Sequence, residues 1–296
     1  MPPLRPSGSP LGHAVNATFS PFTDPALVRG PLYASADRLA RRSGALHQAR
    51  ISGRHAGQVI TDLAEDVVGP GGRDALVADV GCGRGTTTRM LARRLPAARV
   101  VAVDLSAALL AAARNRLPAA TRARLVRADF CHLPLAPGSC DVVVAAFCLY
   151  HSVSPECVIA EIARCLRTGG TAILATKSAD SYRELDHLVA AAHLDPDARS
   201  RPGLYQTAHS GNLAALASAH LDIQRVTHHP HRFVFTDLAC AAEYLATSPK
   251  YNLPACLAAD PEAIAAALRE RLPDGPVTAT STVSYVTATR PAGTPP

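Results

Sequence analysis

The chain has 296 residues, of which 48% are hydrophobic and 18% are charged, with a formal net charge of +6. This composition excludes a disordered or fibrous protein, and no apolar run approaches the ~18 to 20 residues of a membrane span. The 30 basic residues form no run of five like charges, so the positive charge alone does not indicate nucleic-acid binding. Because the N-terminus lacks the pattern of a signal peptide, we expect a cytoplasmic protein. The length of the chain predicts one catalytic domain with added elements.

The first 70 residues predict an arm followed by a helical lid. Residues 1–30 are rich in proline and predict a flexible arm. Within residues 31–70, a helical pattern runs from about Tyr33 to Ile51, because Leu32, Leu39 and Leu46 recur a heptad apart. Gly53 follows this stretch and is typical of a helix end.

Two arginines interrupt the apolar stripe of this predicted helix. At 100° per residue Arg50 falls near the middle of the leucine stripe, and Arg42 lies to one side of it. In one interpretation both arginines bury their stems and extend their charged heads to water. In the other, Arg42 and Arg50, with Tyr33, face an anionic ligand such as a carboxylate beneath the lid.

Residues 71–180 alternate apolar strand candidates with helical stretches. The strand candidates are 75–80, 99–104, 123–128, 141–147 and 171–176, and the helical stretches are 86–95, 106–116 and 155–167. Such alternation predicts a doubly wound, mostly parallel sheet with helices on both faces.

The pattern changes after residue 176. Helical stretches are predicted at 181–193, 211–220, 237–246 and 261–272, and strand-like stretches at 221–235 and 277–290. We therefore predict an α/β fold with a Rossmann-like, mostly parallel seven-stranded sheet. The N-terminal helical lid would cover the core over 71–180, and residues 181–296 would form a cap inserted after the fifth strand and complete the sheet.

A glycine-rich turn follows the first strand candidate in the segment "LVADVGCGRGTTTRML". Gly81, Gly83 and Gly85 lack the Cβ atoms that would keep a ligand away from the backbone. The following helix offers its free N–H groups to a ligand at this turn. Dinucleotide-binding turns have the pattern G-x-G-x-x-G, whereas this chain has Thr86 at the sixth position. The turn therefore favours a different nucleotide-like ligand.

Five segments in order, over about residues 60–180, resemble the motifs of class I S-adenosylmethionine-dependent methyltransferases. They are "VADVGCGRG", "VVAVDLS", "RADF", "DVVVAAFCLYH" and "LRTGG", the last with Thr168 where this family often has proline. The resemblance implies S-adenosylmethionine as the cofactor. It also implies that the cofactor contacts Asp79, Gly81, Cys82, Gly83, Gly85, Asp104, Leu105, Asp129, Phe130 and Phe147.

Two acids receive specific roles from this resemblance. Asp104 would bind the ribose hydroxyls, and its position at the end of the second strand candidate suits that role in doubly wound sheets. Asp129 would accept a hydrogen bond from the adenine amino group. The alternatives are that Asp104 begins the next helix, although Ser106 is better placed for that, and that Asp129 caps a turn.

Tyr150 and His151 follow the fourth strand candidate, where a methyl acceptor would bind. A histidine can remove a proton from a hydroxyl, an amine or an activated carbon, so His151 is a candidate general base. A substrate contact without proton transfer and a structural role remain open. The cluster His228, His229 and His231 has no nearby carboxylate or cysteine to complete a metal site, so we expect no catalytic metal.

The acceptor is predicted to be a small molecule. The chain lacks the [DNS]-P-P-[YFW] signature of nucleic-acid amino-methyltransferases and any basic tract. We expect no nucleic-acid or membrane partner, leave open whether the chain forms a homodimer, and expect a role in tailoring natural products. Two alternatives are a nicotinamide-dependent dehydrogenase and a non-catalytic subunit that only binds the cofactor.

Overall fold

The computed structural model describes residues 20–119 and 121–292, and one sheet of eight strands forms the centre of this part. In chain order the strands are β1 (Arg50–Ser52), β2 (Leu76–Val80), β3 (Arg99–Asp104), β4 (Ala123–Arg127), β5 (Cys140–Ala146), β6 (Leu166–Lys177), β7 (Asp222–Phe235) and β8 (Val277–Thr289). Their spatial order is β1-β7-β8-β6-β5-β2-β3-β4.

The strands from β2 to β6 are parallel, and β8 and β7 extend the sheet in antiparallel pairing. The chain builds outward from β2 through β3 to β4, then returns to the other side of β2 to form β5 and β6. The strand order therefore reverses between β2 and β5. In open sheets of this type, ligands bind outside the carboxyl ends of the strands at such a reversal.

Helices cover both faces of the sheet. They are α1 (Pro25–Arg29), α2 (Ala36–Ala49), α3 (Ala56–Val68), α4 (Thr86–Arg94), α5 (Ala107–Arg114), α6 (Pro155–Cys165), α7 (Arg183–Ala191), α8 (Leu213–Ser218), α9 (Leu238–Leu245) and α10 (Pro261–Arg269). Along β5, Val142 and Val144 pack toward α3 and α4, whereas Val143 and Ala145 pack toward α6. No helix in the described part of the chain is long and apolar enough to cross a membrane.

The predicted α/β fold is confirmed, but the sheet has eight strands where seven were expected. The additional strand is β1, whose first two residues, Arg50 and Ile51, we had assigned to the end of the helix over 33–51. That helix, α2, ends at Ala49, since Arg50 turns to extended backbone with φ −71° and ψ 116°. Arg50 then pairs with Phe233 of β7, so it leaves the leucine stripe on which the sequence analysis had placed it.

The segment predicted as a flexible arm falls partly outside the described residues, which begin at residue 20. From there to residue 30 the chain is built into the fold. Phe22 is 2% exposed and belongs to the main apolar core, and Asp24 caps α1 by accepting hydrogen bonds from the N–H groups of Ala26 and Leu27. Burial of the apolar side chain at position 22 stabilises the packing of this stretch, which its proline content did not predict.

A buried ion pair joins α7 to the segment after α9, and it generates a prediction about stability. Lys250 Nζ lies 2.6 Å from Asp186 Oδ2, and the Tyr251 hydroxyl donates to the other carboxylate oxygen at 3.0 Å. Replacing Lys250 by methionine leaves a buried carboxylate without its cation. We expect Lys250→Met to lower the free energy of unfolding by about 3 to 5 kcal/mol, as measured by urea denaturation.

The matched control is Arg183→Met in α7, the helix that carries Asp186. Arg183 pairs with Asp180 at 2.6 Å, but both side chains are more than half exposed, so its loss should cost less than about 1 kcal/mol. Equal destabilisation by the two variants would show that burial does not set the strength of the Lys250 pair.

Candidate active site

The glycine-rich turn after β2 packs so closely against its neighbours that only glycine fits at two of its positions. Gly81, Gly83 and Gly85 have φ values of 64°, 54° and 69°, in the region that other residues rarely adopt. A Cβ atom on Gly81 would lie 2.4 Å from the Cβ of Cys148, which follows β5. A Cβ atom on Gly85 would lie 2.8 Å from the Cβ of Ala113 in α5. The turn is therefore fixed against its neighbours on two sides.

Asp104 ends β3 beside this turn and holds it in place. Its Oδ2 accepts from the Gly83 N–H at 2.8 Å, and its Oδ1 accepts from the Ser106 N–H at 2.9 Å. Burial raises the pKa of Asp104, while these two hydrogen bonds oppose the rise. A carboxylate can accept about four hydrogen bonds, so Asp104 can still receive two hydroxyl groups from the cavity that it lines.

One large cavity opens at the carboxyl ends of the parallel strands. Its volume is about 1030 Å³, and it runs from the glycine-rich turn to a group of tyrosines. Ligand pockets usually measure ~300 to 1,000 Å³, so this cavity has room for two small molecules side by side. Helix α2 forms part of its wall through Leu39, Arg42 and Leu46. This helix is joined to α9 by an ion pair between Arg41 and Glu243 at 3.2 Å.

The residues predicted to bind the cofactor divide into two groups. The cavity is lined by Gly81, Cys82, Gly83, Asp104, Leu105, Phe130 and Phe147, whereas Asp79, Gly85 and Asp129 are not among its lining residues. The Asp129 Oδ1 accepts from the Cys131 N–H at 3.0 Å, and its Oδ2 lies 3.7 Å from the Arg29 guanidinium. Its side chain therefore caps a turn here, and its contact with the adenine amino group stays a prediction.

Asp79 lies behind the glycine-rich turn. It is 2% exposed, and its Oδ2 accepts from the Thr88 hydroxyl of α4 at 2.5 Å. Burial raises the pKa of Asp79 to about 7, and nearby Asp104 adds to the rise while Thr88 opposes it. Asp79 thus ties the last residues of β2 to the helix that follows the turn.

His151 lies in a short 3-10 turn after β5, between two hydrogen-bond partners. Its Nδ1 is 2.9 Å from the Phe22 carbonyl oxygen, and its Nε2 is 2.9 Å from the Tyr33 hydroxyl oxygen. Because a carbonyl oxygen only accepts, we assign the proton to Nδ1, so Nε2 accepts from the Tyr33 hydroxyl. Burial lowers the pKa of His151 to about 4, helped by the charge of Arg42, and the ring is neutral at pH 7.

Tyr150 and His151 face the cavity together with an aromatic residue from the N-terminal segment. The rings of Tyr150 and Phe22 stack with centroids 5.4 Å apart, and Tyr205 meets the edge of Tyr150 at 4.8 Å. Burial raises the pKa of Tyr150 well above its usual value, so its hydroxyl stays protonated at neutral pH. The predicted pair of site residues therefore lies inside an aromatic wall to which Phe22 contributes.

The two arginines of the predicted lid differ in environment. Arg42 is 8% exposed; its guanidinium donates to the Thr247 carbonyl at 3.5 Å and lies 5.2 Å from the centre of the Phe22 ring. Its charged head is therefore inside the protein and not in water. Arg50 also lines the cavity, but its guanidinium donates to the Gly53 carbonyl at 3.3 Å near the rim.

Several cavity residues were missed by the sequence analysis. They are Phe22, Lys177, Tyr182, Tyr205, His231 and Tyr244. Lys177 could have been found, because it is the last residue of a buried strand, and the carboxyl ends of parallel strands meet at the site. Tyr205 lies in an irregular segment whose sequence has no periodicity, so no local signal pointed to the cavity.

The histidine cluster of β7 separates as strand alternation predicts. His229 and His231 are more buried than His228, whose Nδ1 lies 2.6 Å from the Ser284 hydroxyl. Across residues 20–119 and 121–292, no group of three histidine, cysteine, aspartate or glutamate side chains is arranged to hold a metal ion.

Comparisons with known proteins point to one family. A family model described as a methyltransferase domain matches residues 78–174. A malonyl-[acyl-carrier protein] O-methyltransferase of Laribacter hongkongensis is 31% identical over 231 residues, which span 75% of this chain and 77% of that protein. A trans-aconitate 2-methyltransferase of Paracidovorax citrulli is 39% identical over 112 residues, or 38% of this chain and 41% of that protein.

A solved structure with the same fold is phosphoethanolamine N-methyltransferase 2 of Haemonchus contortus in complex with S-adenosyl-L-methionine. The TM-score is 0.54 at 18% identity, and the match covers 92% of this chain and 60% of the other. At this identity the likeness concerns the fold alone.

The buried Asp79 carboxyl generates a prediction about stability and pH. A carboxyl whose pKa is higher in the folded state stabilises the fold at low pH and loses that contribution as the pH rises through the folded value. Asp79→Asn removes this loss and keeps an oxygen that can accept from Thr88. We expect the stability of Asp79→Asn relative to the wild type to increase from pH 5 to about pH 7 and to level off above the folded pKa.

Urea denaturation of both proteins without ligand, under reducing conditions, measures this difference. A stability difference that does not change with pH would mean that Asp79 is ionised throughout this range.

Proposed function

This chain belongs to the class I S-adenosylmethionine-dependent methyltransferases, and we propose that it methylates a small molecule bound beside the cofactor in one cavity. The observation that carries this proposal is the single space of about 1030 Å³ that joins the glycine-rich turn to the Tyr33–His151 pair. Family membership sets aside a nicotinamide-dependent dehydrogenase and a non-catalytic subunit.

The glycine-rich end of the cavity fits the cofactor. The N-cap of α4 is Gly85, which has no side chain to accept from the first turn, so the N–H groups of Thr86 and Thr87 at the cavity can meet a ligand. We propose that Asp104 accepts from both ribose hydroxyls, and that Leu105 and Phe130 flank the adenine. Asp129 would reach the adenine amino group only after turning from its contact with Arg29, which is weak because both side chains are partly exposed.

When bound, S-adenosylmethionine supplies a methyl group on a sulfonium sulfur, which keeps the electron pair of the broken bond as the acceptor forms its new bond. We propose that the Tyr33 hydroxyl takes a proton from an acceptor hydroxyl or activated carbon and gives its own proton to His151 Nε2. The contact of 2.9 Å between the Tyr33 hydroxyl and His151 Nε2 supports this relay, because both residues line the cavity. A neutral amine would instead attack first and lose its proton afterwards.

We propose a small acceptor group, processed in the tailoring of a natural product. Two relatives are named for malonyl-[acyl-carrier protein] and trans-aconitate, and these names favour a small acyl or acid group over a nucleic acid. The segments between β6 and β8 support a specialised acceptor, because they contribute Tyr205 and Tyr244 to the cavity wall. Formation of S-adenosylhomocysteine that depends on an added acceptor, in a panel of acids, phenols and amines, tests this proposal.

The cofactor assignment predicts a loss of affinity when Asp104 is replaced. Asp104→Ala should weaken binding of S-adenosylhomocysteine by about one to three kcal/mol, since charge-assisted hydrogen bonds to the ribose are lost. Asp104→Asn keeps one oxygen and should lose less. Calorimetry gives both affinities, and thermal unfolding without ligand shows whether the turn survives the loss of the Gly83 contact. Unchanged affinity in a folded Asp104→Ala protein would remove the ribose assignment.

The relay predicts that Tyr33 and His151 act as a unit. His151→Ala and Tyr33→Phe should each lower kcat by roughly 10²- to 10⁴-fold, and the double variant should lose little more, because either change breaks the same path. Affinity for S-adenosylhomocysteine should change little. A loss confined to KM would identify a substrate contact, and additive losses in kcat would argue against a shared relay.

A further inference from the structure

Lys177 is a cation with no carboxylate partner among the described residues. It is one of only two lysines in the chain, and it ends β6 at the cavity. Its Nζ donates to the Tyr182 hydroxyl at 2.7 Å, and the aromatic rings of Tyr182, Tyr205 and Phe147 lie 4.8, 5.5 and 5.7 Å from it. Within the described chain no acid lies within ion-pair distance of Lys177, whereas Lys250 pairs with Asp186 at 2.6 Å.

The backbone around Lys177 is held in an unfavourable conformation. Phe147 and Tyr182 have φ values of 59° and 67°, in the left-handed region that bulky residues avoid. Their N–H groups are fixed by hydrogen bonds of 2.8 Å to the carbonyls of Ala175 and Thr280. Such strain persists only where surrounding contacts impose it, and it concentrates at functional sites. Here it brings two aromatic rings onto one ammonium group.

His231 provides a second, independent sign of a ligand at this end of the cavity. It is 6% exposed and lines the cavity, and its Nε2 is buried without a hydrogen-bond partner in the described chain. Leaving such a nitrogen unpaired costs about 1 to 3 kcal/mol, which a bound polar group would recover. Burial lowers the pKa of His231 to about 4, and the charges of Arg50 and Lys177 contribute, so the ring is neutral.

The charged side chains that line this end of the cavity favour an anionic ligand. Among the described residues that line it, Asp104 is the one acid, and it belongs to the glycine-rich end. Lys177 and Arg42 are close enough for the charge of Arg42 to lower the pKa of Lys177. An anionic group would relieve this repulsion, whereas an ammonium group would increase it. Three of the rings that could otherwise bind a ligand cation, those of Phe147, Tyr182 and Tyr205, already lie near Lys177.

We infer that the methyl acceptor is an organic acid whose carboxylate binds Lys177 Nζ, while a second polar atom of the same molecule hydrogen-bonds to His231 Nε2. This inference rests on the proposed function and specifies the acceptor class. The one ammonium group at this end of the cavity suits the single negative charge of a carboxylate, and a phosphate is the alternative anion that the test includes. The surrounding tyrosine rings suit an apolar or aromatic body next to that carboxylate.

Matched ligands test this inference in the protein saturated with S-adenosylhomocysteine. The probes are 3-phenylpropanoate, 3-phenylpropanamide, 3-phenylpropylamine and phenyl phosphate, with affinities measured by calorimetry. The acid should bind at least about tenfold tighter than its amide, since a hydrogen bond between charged groups adds to the shared contacts. Lys177→Met should remove this preference and Lys177→Arg should keep part of it. Arg183→Met, which removes a solvent-exposed charge next to Tyr182 in the sequence, should leave it unchanged.

The pH dependence provides a second measurement. Burial lowers the pKa of Lys177 to about 7, and Arg42 adds to this effect. Burial raises the pKa values of Tyr182 and Tyr205 well above 10, and His231 stays neutral, so of these groups Lys177 is the one that titrates between pH 6 and 9. Affinity for the acid should fall as the pH rises through this range in the wild type. It should stay constant in Lys177→Arg, because arginine remains charged.

The outcomes separate the two levels of the proposal. If S-adenosylhomocysteine does not bind, the proposed function itself fails. If it binds, the inference about Lys177 is overturned by equal affinity for acid and amide, by tighter binding of the amine or the phosphate, or by an acid preference that survives in Lys177→Met. Absence of acid binding at millimolar concentration in the wild type also overturns it.

Discussion

The close approach of Gly81 to Cys148 is the contact on which the site depends. No Cβ atom fits between the Gly81 backbone and the Cys148 side chain, so the segments that follow β2 and β5 are in contact where they leave the sheet. Beyond this contact the two segments separate, and the cavity opens at the point where the strand order reverses. Asp104 then reaches across from β3 to the Gly83 N–H, so one carboxylate both fixes the turn and faces the ligand space. A larger residue at position 81 would disturb the turn and the cavity together.

The other end of the cavity depends on residues far away in sequence. The Phe22 carbonyl orients His151, and the Phe22 ring contacts Tyr150 and Arg42. Helix α2 carries Arg42 over the opening and is itself joined to α9. The segment before the sheet and the segments after it thus meet over the carboxyl ends of the strands. The tyrosine-lined end of the cavity and the glycine-rich turn are thus built from different segments of the chain.

The sequence predicted the core well because its signals are local. Each buried parallel strand is a short apolar run, and the glycine-rich turn has few alternatives that satisfy its backbone angles. The end of α2 was harder to predict, since Arg50 leaves the helix to pair with Phe233, a residue that lies far along the chain. The motif also did not reveal the hydrogen bond from Thr88 to Asp79 or the contact between Asp129 and Arg29. Lys177 was overlooked although its position at the end of a buried strand was a signal for the site.

The two lysines show how this fold separates stability from function. Lys250 is matched by Asp186, and removing either partner would leave a buried charge unpaired. Lys177 is surrounded by aromatic rings and has a hydroxyl as its hydrogen-bond partner, so its ammonium group is buried at a net cost to folding. A side chain of similar length without charge would pack against the same rings at lower cost. The chain otherwise uses arginine for nearly all of its cations, and arginine keeps its charge when buried. A lysine at this position, held between two strained aromatic residues and facing the cavity, is therefore better explained by recognition of an anionic ligand than by packing.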